Sequence, residues 1–332
     1  MKKKVLIGIV FVLTLSLTAP AWDVLGHAFI MEQIKGGPQN ANGNELYGIT
    51  SPDFVNYLLN TPYYDYLYGE THKDFMRVWN MATTPAAQSL AMGFVAHNGL
   101  WGADYTAHVS SITTDPANGY VINKAIAVEE LYAQLGVWAM MGLEGDEYAG
   151  FRRELCHNIV EYVIDIYVWM GDPTIAGRVR TAALERGGIM QQLVKTAFGG
   201  PLVAFSQKSA ARLNHPAALA ILLPAETAFQ ERVAYYANLY ATATSVEEVL
   251  GNLDGYLQLL AKQMFNLDLE DGQAAQLLGA VLQSHLLDDV GGEIGATVAY
   301  VYDQLAAHNI VYGMGGMAKV SAQEAPKGRI GK

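Results

Sequence analysis

The chain has 332 residues, 51% of them apolar and 16% charged, and 32 acidic against 21 basic side chains give a net charge of −11. Such a surface repels nucleic-acid phosphates and anionic membranes unless metal ions offset it locally. A single cysteine, Cys156, excludes an internal disulfide, so stability must come from a core, which a chain this long and apolar can build.

The first 21 residues read as an export signal. Lys2, Lys3 and Lys4 form a basic start, Val5 to Leu17 an apolar run too short for a membrane span, and Ala19-Pro20-Ala21 a small-x-small cleavage site. Cleavage after Ala21 would make Trp22 the first residue and leave 18 basic against 32 acidic side chains, a net charge of −14. A secreted or periplasmic protein is therefore expected. No later run approaches the length a spanning helix needs.

Trp22 to Lys35 reads as a helix, with Val24, Ala28 and Met31 at helical spacing and His27 close to the new amino terminus. A free α-amine has a pKa of about 7.7–8.0, so it can deprotonate and bind a metal. Gly36 to Gly48 reads as a loop rich in Gly, Asn and Pro. Asp53 follows Ser51-Pro52, a helix-start pattern in which an aspartate serves as a first-turn anion. Tyrosines 57, 63, 64, 66 and 68 suit a ligand cleft, a lipid-facing rim or a loop packed on the core. His72 follows in ETHKDF, and Thr84-Pro85 caps the next helix.

That helix runs into the stretch around which the chain is organised, Gly93 to His108. On one helix, steps of seven and eleven residues return to nearly the same face, so His97, Asp104 and His108 would form a polar stripe on an apolar segment. Two imidazoles and a carboxylate are costly to bury without partners. A metal satisfies all three, since neutral imidazole and carboxylate are both zinc ligands. The plain structural alternative is a pair of core histidines hydrogen-bonded to an aspartate. Gly99 and Gly102 argue against an unbroken helix.

Ile122 to Met141 and Asp146 to Met170 are long helical patterns. The second carries His157 and Glu161, an i, i+4 pair on one face of a largely apolar helix, as in helical zinc sites. Asp172-Pro173 opens a further run of five or six helices reaching Gly313, with a capping box at Ser245-x-x-Glu248 and strong periodicity over Asp271 to Asp289 and Ile294 to Asn309. Gly315 to Lys332 is small, polar and basic, and reads as a frayed tail. His215, His285 and His308 read as ordinary. No segment alternates in the manner of a strand, so an all-α fold is expected.

Taken in order, Trp22, His27, Asp53, His72, His97, Asp104, His108, His157 and Glu161 resemble the ligand set of the zinc-dependent phospholipase C superfamily. That superfamily also holds the single-strand-specific nucleases and the metal domain of glycosylphosphatidylinositol-specific phospholipase D. LYGITSPDF, THKDF and Asp-x-x-x-His look closest to the last branch. The resemblance covers Trp22 to Met170. It implies a multi-helix phospholipase C-like bundle, here followed by a helical C-terminal extension over 171–313.

The resemblance also implies three zinc ions. Asp53, His72, His97 and Asp104 would hold the first. The amine and carbonyl of Trp22, His27 and the shared Asp104 would hold the second, and His108, His157 and Glu161 the third. Asp53 would orient or deprotonate the attacking water. The family places its helix histidine four residues before the aspartate, whereas His97 stands seven before Asp104, which adds three residues, about 4.5 Å, along a helix. Either Gly99 to Gly102 bulges out or His97 is displaced. Phe54, Tyr57 and Tyr66 are the substrate-binding candidates. Phe54 is the only family choline-pocket position with a cation–π surface, the others holding Leu25 and Gly69.

The expected function is exported, zinc-dependent hydrolysis of a phospholipid or related phosphodiester, with transient contact to a membrane surface. A nuclease of single-strand type is the second enzymatic reading, and the negative charge argues against it. A non-catalytic helical metal-binding scaffold is the third.

Overall fold

The computed structural model describes residues 22–208, 212–265 and 267–310. The expected export signal at 1–21 and the expected tail from Gly315 lie outside them. Within them, regular structure is helical throughout: fifteen α-helices and two short 3₁₀ helices. The all-α expectation is met. Among the described residues, no helix is long and apolar enough to cross a membrane.

The elements that build the site come first. They are α1 (Asp23–Ile34), α2 (Gly43–Thr50), a 3₁₀ helix (Ser51–Leu58), α3 (Tyr64–His72), α4 (Met76–Met81), α5 (Pro85–His97) and α6 (Ala103–His108). Then follow α7 (Tyr120–Gln134), α8 (Val137–Met141), a short 3₁₀ turn (Asp146–Tyr148) and the long α9 (Ala149–Gly171). Six more complete the chain: α10 (Ile175–Glu185), α11 (Ile189–Ser206), α12 (His215–Ala241), α13 (Val246–Phe265), α14 (Gln273–Gln283) and α15 (Val290–Ala307).

Several sequence expectations are corrected. The loop expected to reach Gly48 stops at Asn42. There the side chain accepts the Asn44 and Glu45 N–H groups while Glu45 returns a bond to the Asn42 N–H, a reciprocal cap that starts α2 early. The helix expected over Ile122 to Met141 breaks at Gly136, where the backbone turns left-handed. His97, Asp104 and His108 do not share one continuous helix. α5 ends at His97, residues 98–102 bulge out, and α6 restarts at Ala103. Asn98 stabilises the bulge, its Oδ1 accepting from the Leu100 and Trp101 N–H groups and its amide donating to the Val95 carbonyl.

α2 and α5 cross backbone to backbone. A Cβ on Gly48 would stand 2.3 Å from the Leu90 carbonyl oxygen, and one on Gly93 2.3 Å from that of Glu45. Only glycine permits this approach, and it carries the end of α5 against the end of α2, where the site begins. The later helices close over these elements. Arg178 on α10 grips Glu32 of α1 through two bonds, and Arg186 grips Glu226 of α12, which also accepts from Tyr47 of α2. Lys35 and Glu45 form a further pair, fully inside. Cys156 is buried on α9, and burial pushes its thiol well up, so it is an inert core residue.

Candidate metal centre

Among the described residues, two clusters of ligand-type side chains converge inside the fold: Asp53, His72 and His97, and His108, His157 and Glu161. In the first, the 3₁₀ helix, α3 and α5 each deliver one residue, all almost fully buried. The facing Nε2 atoms of His72 and His97 are 3.3 Å apart, and Asp53 lies 3.4 Å from the one and 3.6 Å from the other. In the second, α6 delivers His108 and α9 delivers His157 and Glu161. Nε2 of His108 and Nε2 of His157 are 2.9 Å apart, with Glu161 Oε1 at 3.6 and 2.9 Å. A tetrahedral ion with ligands at about 2.0–2.1 Å sets its ligand atoms about 3.3–3.4 Å apart. The first triangle has that size and the second is close to it.

The tautomers point the same way. His97 donates Nδ1–H to the Ile49 carbonyl and His27 donates to that of Asp23. The Thr71 hydroxyl donates to the Tyr68 carbonyl, so it accepts from Nδ1–H of His72. Asp104 accepts from Nδ1 of His108 at 3.0 Å. With Nδ1 engaged as donor, Nε2 of each carries its lone pair inward, the arrangement of metal-ligating histidines with oxygen acceptors behind them. Two lone pairs at 3.3 Å repel unless something cationic sits between them. Nε2 of His27 and Oδ2 of Asp53 are buried with no hydrogen-bond partner, and such orphans are costly. These observations fit a metal ion and do not fit a closed core of hydrogen-bonded histidines.

The electrostatics agree. Burial pushes His27 down to about 3, with the His97 charge adding to it, and burial likewise lowers His97. Both are neutral, as ligands must be. Burial works to raise Asp53, but His97, His72 and His27 outweigh it and hold the carboxyl below its usual range. His108 is disfavoured as a cation by burial, yet Asp104 and Glu161 overcome this and raise it to about 10. His157 is raised to about 9 by Glu161 and Glu154 against the same opposition. Without an ion, a proton on this facing pair does the work a metal would do.

The bulge after His97 resolves the spacing question raised by the sequence. His97 stays in the site, and its Nε2 is 4.0 Å from Oδ1 of Asp104. Asp104 links the two clusters, with its Oδ1 engaged by His108. The His27 ring stacks on His97, with centroids 4.5 Å apart. Trp22 is wholly buried, stacks on Tyr120 and donates its indole N–H to the Ala103 carbonyl, beside Asp104. Asp23 adopts a left-handed backbone at φ 43°, a strain of about 1–3 kcal/mol, and its carbonyl is the one that orients His27.

Of the substrate-binding candidates, Phe54 is fully buried against Phe198 and offers no face to a ligand. Tyr66 stacks on Phe205 at 4.1 Å, in a groove shared with Arg77 and Lys208. Tyr57 is 41% exposed and stands edge-on to Phe229. The three histidines read as ordinary lie outside both clusters. His285 pairs with Asp288 on the surface, and His308 stacks on Trp101.

Sequence reasoning missed Asp165. It stands four residues after Glu161 on α9, wholly buried, and accepts the Leu25 and Gly26 N–H groups at 2.9 and 2.7 Å. It thereby caps α1 from 140 residues away and sets His27 in register with His157 and Glu161. The i, i+4, i+8 series His157, Glu161, Asp165 was the available signal. Glu293 on α15 was also missed. Fully buried, it accepts from Ser111, Ile112 and Thr113, fixing the loop that leaves α6 just after His108. Compared with known proteins, the chain matches no family model, no curated protein and no solved structure.

Proposed function

We propose that this chain is an exported zinc-dependent phosphodiester hydrolase of phospholipase C type, with a phospholipid or related phosphodiester as substrate. The observation that carries the reading is the inward convergence of Nε2 atoms, with Nδ1 engaged behind them, on two triangles sized for zinc. Asp53, His72, His97 and Asp104 would hold one ion, and His108, His157 and Glu161 another. Once the chain is processed, the Trp22 amine and carbonyl with His27 and Asp104 would hold a third. The mixture of neutral imidazole and carboxylate suits zinc over calcium or magnesium, which favour oxygen. Bound zinc supplies an activated water and neutralises charge on phosphate oxygens.

The chain's own residues have separable tasks. Asp53, held ionised with Oδ2 unpartnered, would orient a water and accept its proton. Asp104 fixes the His108 tautomer and ties the two clusters together. Asp165 and the strained Asp23 hold α1 so that Trp22 and His27 face the same space.

The test is elemental analysis of correctly processed protein, with turnover of an activated phosphodiester measured on the same sample. About three zinc per chain, falling in His108→Ala and His157→Ala together with turnover, is expected. No stoichiometric metal after zinc-supplemented expression would refute the proposal.

A further inference from the structure

Most arginines withdrawn from solvent in this fold have a carboxylate. Arg152 pairs with Glu129, Arg178 with Glu32 and Asp172, and Arg186 with Glu226. Arg232, half-buried on α12, is the exception: among the described residues no carboxylate oxygen lies within ion-pairing distance of it. Its surroundings are tyrosine. The guanidinium lies 5.2 Å from the Tyr256 ring centroid, and Tyr256 packs on Tyr162, Tyr235 and Tyr236. Tyr57 rests on Phe229, one turn before Arg232 on α12, and the Arg232 charge bears on its hydroxyl.

One polar group beside this cation is left without a partner. The Tyr256 hydroxyl is buried and makes no hydrogen bond, though its residue is only 6% exposed. Asp23 ties this patch to the second cluster, its carboxyl lying near enough to be influenced by both Arg232 and Glu161. An unpaired guanidinium in partly desolvated surroundings is expensive, and an orphaned hydroxyl adds to the cost. A fold keeps such an arrangement when a ligand completes it.

The location names the ligand's chemistry. Tyr162 follows the metal-cluster residue Glu161, Tyr57 stands four after Asp53, and Asp23 adjoins Trp22. The patch therefore borders three of the six segments that supply metal-type ligands, and Tyr57 at its edge is 41% exposed. We propose that Arg232, with the hydroxyls of Tyr57 and Tyr256, receives the anionic phosphate of a phosphodiester beside the metal clusters. A planar guanidinium fork matches two non-bridging phosphate oxygens, and tyrosine hydroxyls donate to the same group. This assignment deepens the phosphodiesterase reading and rests on it.

The test is calorimetric titration of processed, zinc-loaded protein with inorganic phosphate and with dimethyl phosphate. It compares the wild type, Arg232→Met and Tyr256→Phe, with zinc content and melting temperature recorded for each. Arg232→Met should keep its zinc and weaken both anions by about tenfold or more. Tyr256→Phe removes a hydroxyl that bonds nothing in the fold. It should melt with the wild type and weaken both anions roughly threefold, so it decides the matter if Arg232→Met fails to fold. Affinities within about twofold of wild type in the folded variants, or no phosphate binding by the wild type, would overturn the assignment. Binding of inorganic phosphate without dimethyl phosphate would overturn the diester assignment. Absence of zinc with phosphate binding that still depends on Arg232 would sink the hydrolase reading and leave an anion site. Zinc and turnover with no such dependence would sink the anion site alone.

Discussion

Gly102→Ala should dismantle the first candidate metal cluster without touching any of its side chains. A Cβ at residue 102 would stand 2.4 Å from the His97 carbonyl oxygen and 2.6 Å from that of Ala96, both backbone atoms that cannot rotate away. Real Cβ atoms essentially never approach closer than 3.0 Å, so the end of α5 must move by at least 0.6 Å. Metal–ligand distances are held within about 0.2 Å, so a displacement of this size at His97 exceeds what the cluster tolerates. The overpacking itself should cost about 1–3 kcal/mol, a few degrees in melting temperature. Elemental analysis and calorimetry on the same preparation separate the two effects. Gly279→Ala is the control, since nothing lies within 4 Å of its added Cβ and α14 should gain up to about 1 kcal/mol. If Gly102→Ala kept full zinc and wild-type melting, the bulge would not be what aligns His97 with Asp104.

Three further outcomes are expected. Glu293→Gln should destabilise the chain by about 3 kcal/mol in calorimetry, because an amide cannot replace a carboxylate that accepts from Ser111, Ile112 and Thr113 at once; an unchanged melting temperature would deny Glu293 that role. Metal-free protein should lose stability as pH rises. His108 and His157 have folded pKa values near 10 and 9, above the unfolded value of about 6.5, so their contribution is complete below about pH 6.5 and fades towards pH 9–10. Zinc binding needs both imidazoles neutral, so zinc-loaded protein should not show this decline, and parallel melting curves with and without zinc would contradict the assignment. A methionine retained before Trp22 should lower zinc content and phosphodiester turnover, whereas a match to the processed protein in both would remove the terminal amine from the site.

The helical class was legible because long apolar periodicities run from Trp22 to Asn309 with no alternating segment. The ligand-type residues were legible for a different reason: histidines and carboxylates on apolar helices demand an explanation that lysines on polar faces do not. What the sequence concealed was contact between distant segments. Helical spacing alone placed His97, Asp104 and His108 on one face of one helix. Their actual alignment comes from a bulge and from the Gly48–Gly93 crossing, whose partners are 45 residues apart. Asp165 lies on the expected face of α9, but its role is to cap a helix 140 residues earlier, which no local pattern encodes. Phe54 was misjudged because an aromatic beside a ligand reads alike whether it faces a cleft or the core.

The C-terminal helices take part in building the site, which makes their removal a decisive perturbation. A chain ending at Gly171 would keep every proposed metal ligand. It would lose Arg178, leaving the fully buried Glu32 of α1 without its partner, and breaking such a pair costs about 3–5 kcal/mol. It would also lose Glu293 behind the loop after α6, the Thr297–Thr106 contact on α6 itself, and the Glu226 carboxylate that accepts from Tyr47. Total stability for a domain is about 5–15 kcal/mol, so these losses consume most of it before any exposed apolar surface is counted. Residues 22–171 should therefore fail to unfold cooperatively and hold no stoichiometric zinc. Full zinc content in a cooperatively melting fragment would show instead that the site is self-sufficient and that α10 to α15 serve some other purpose.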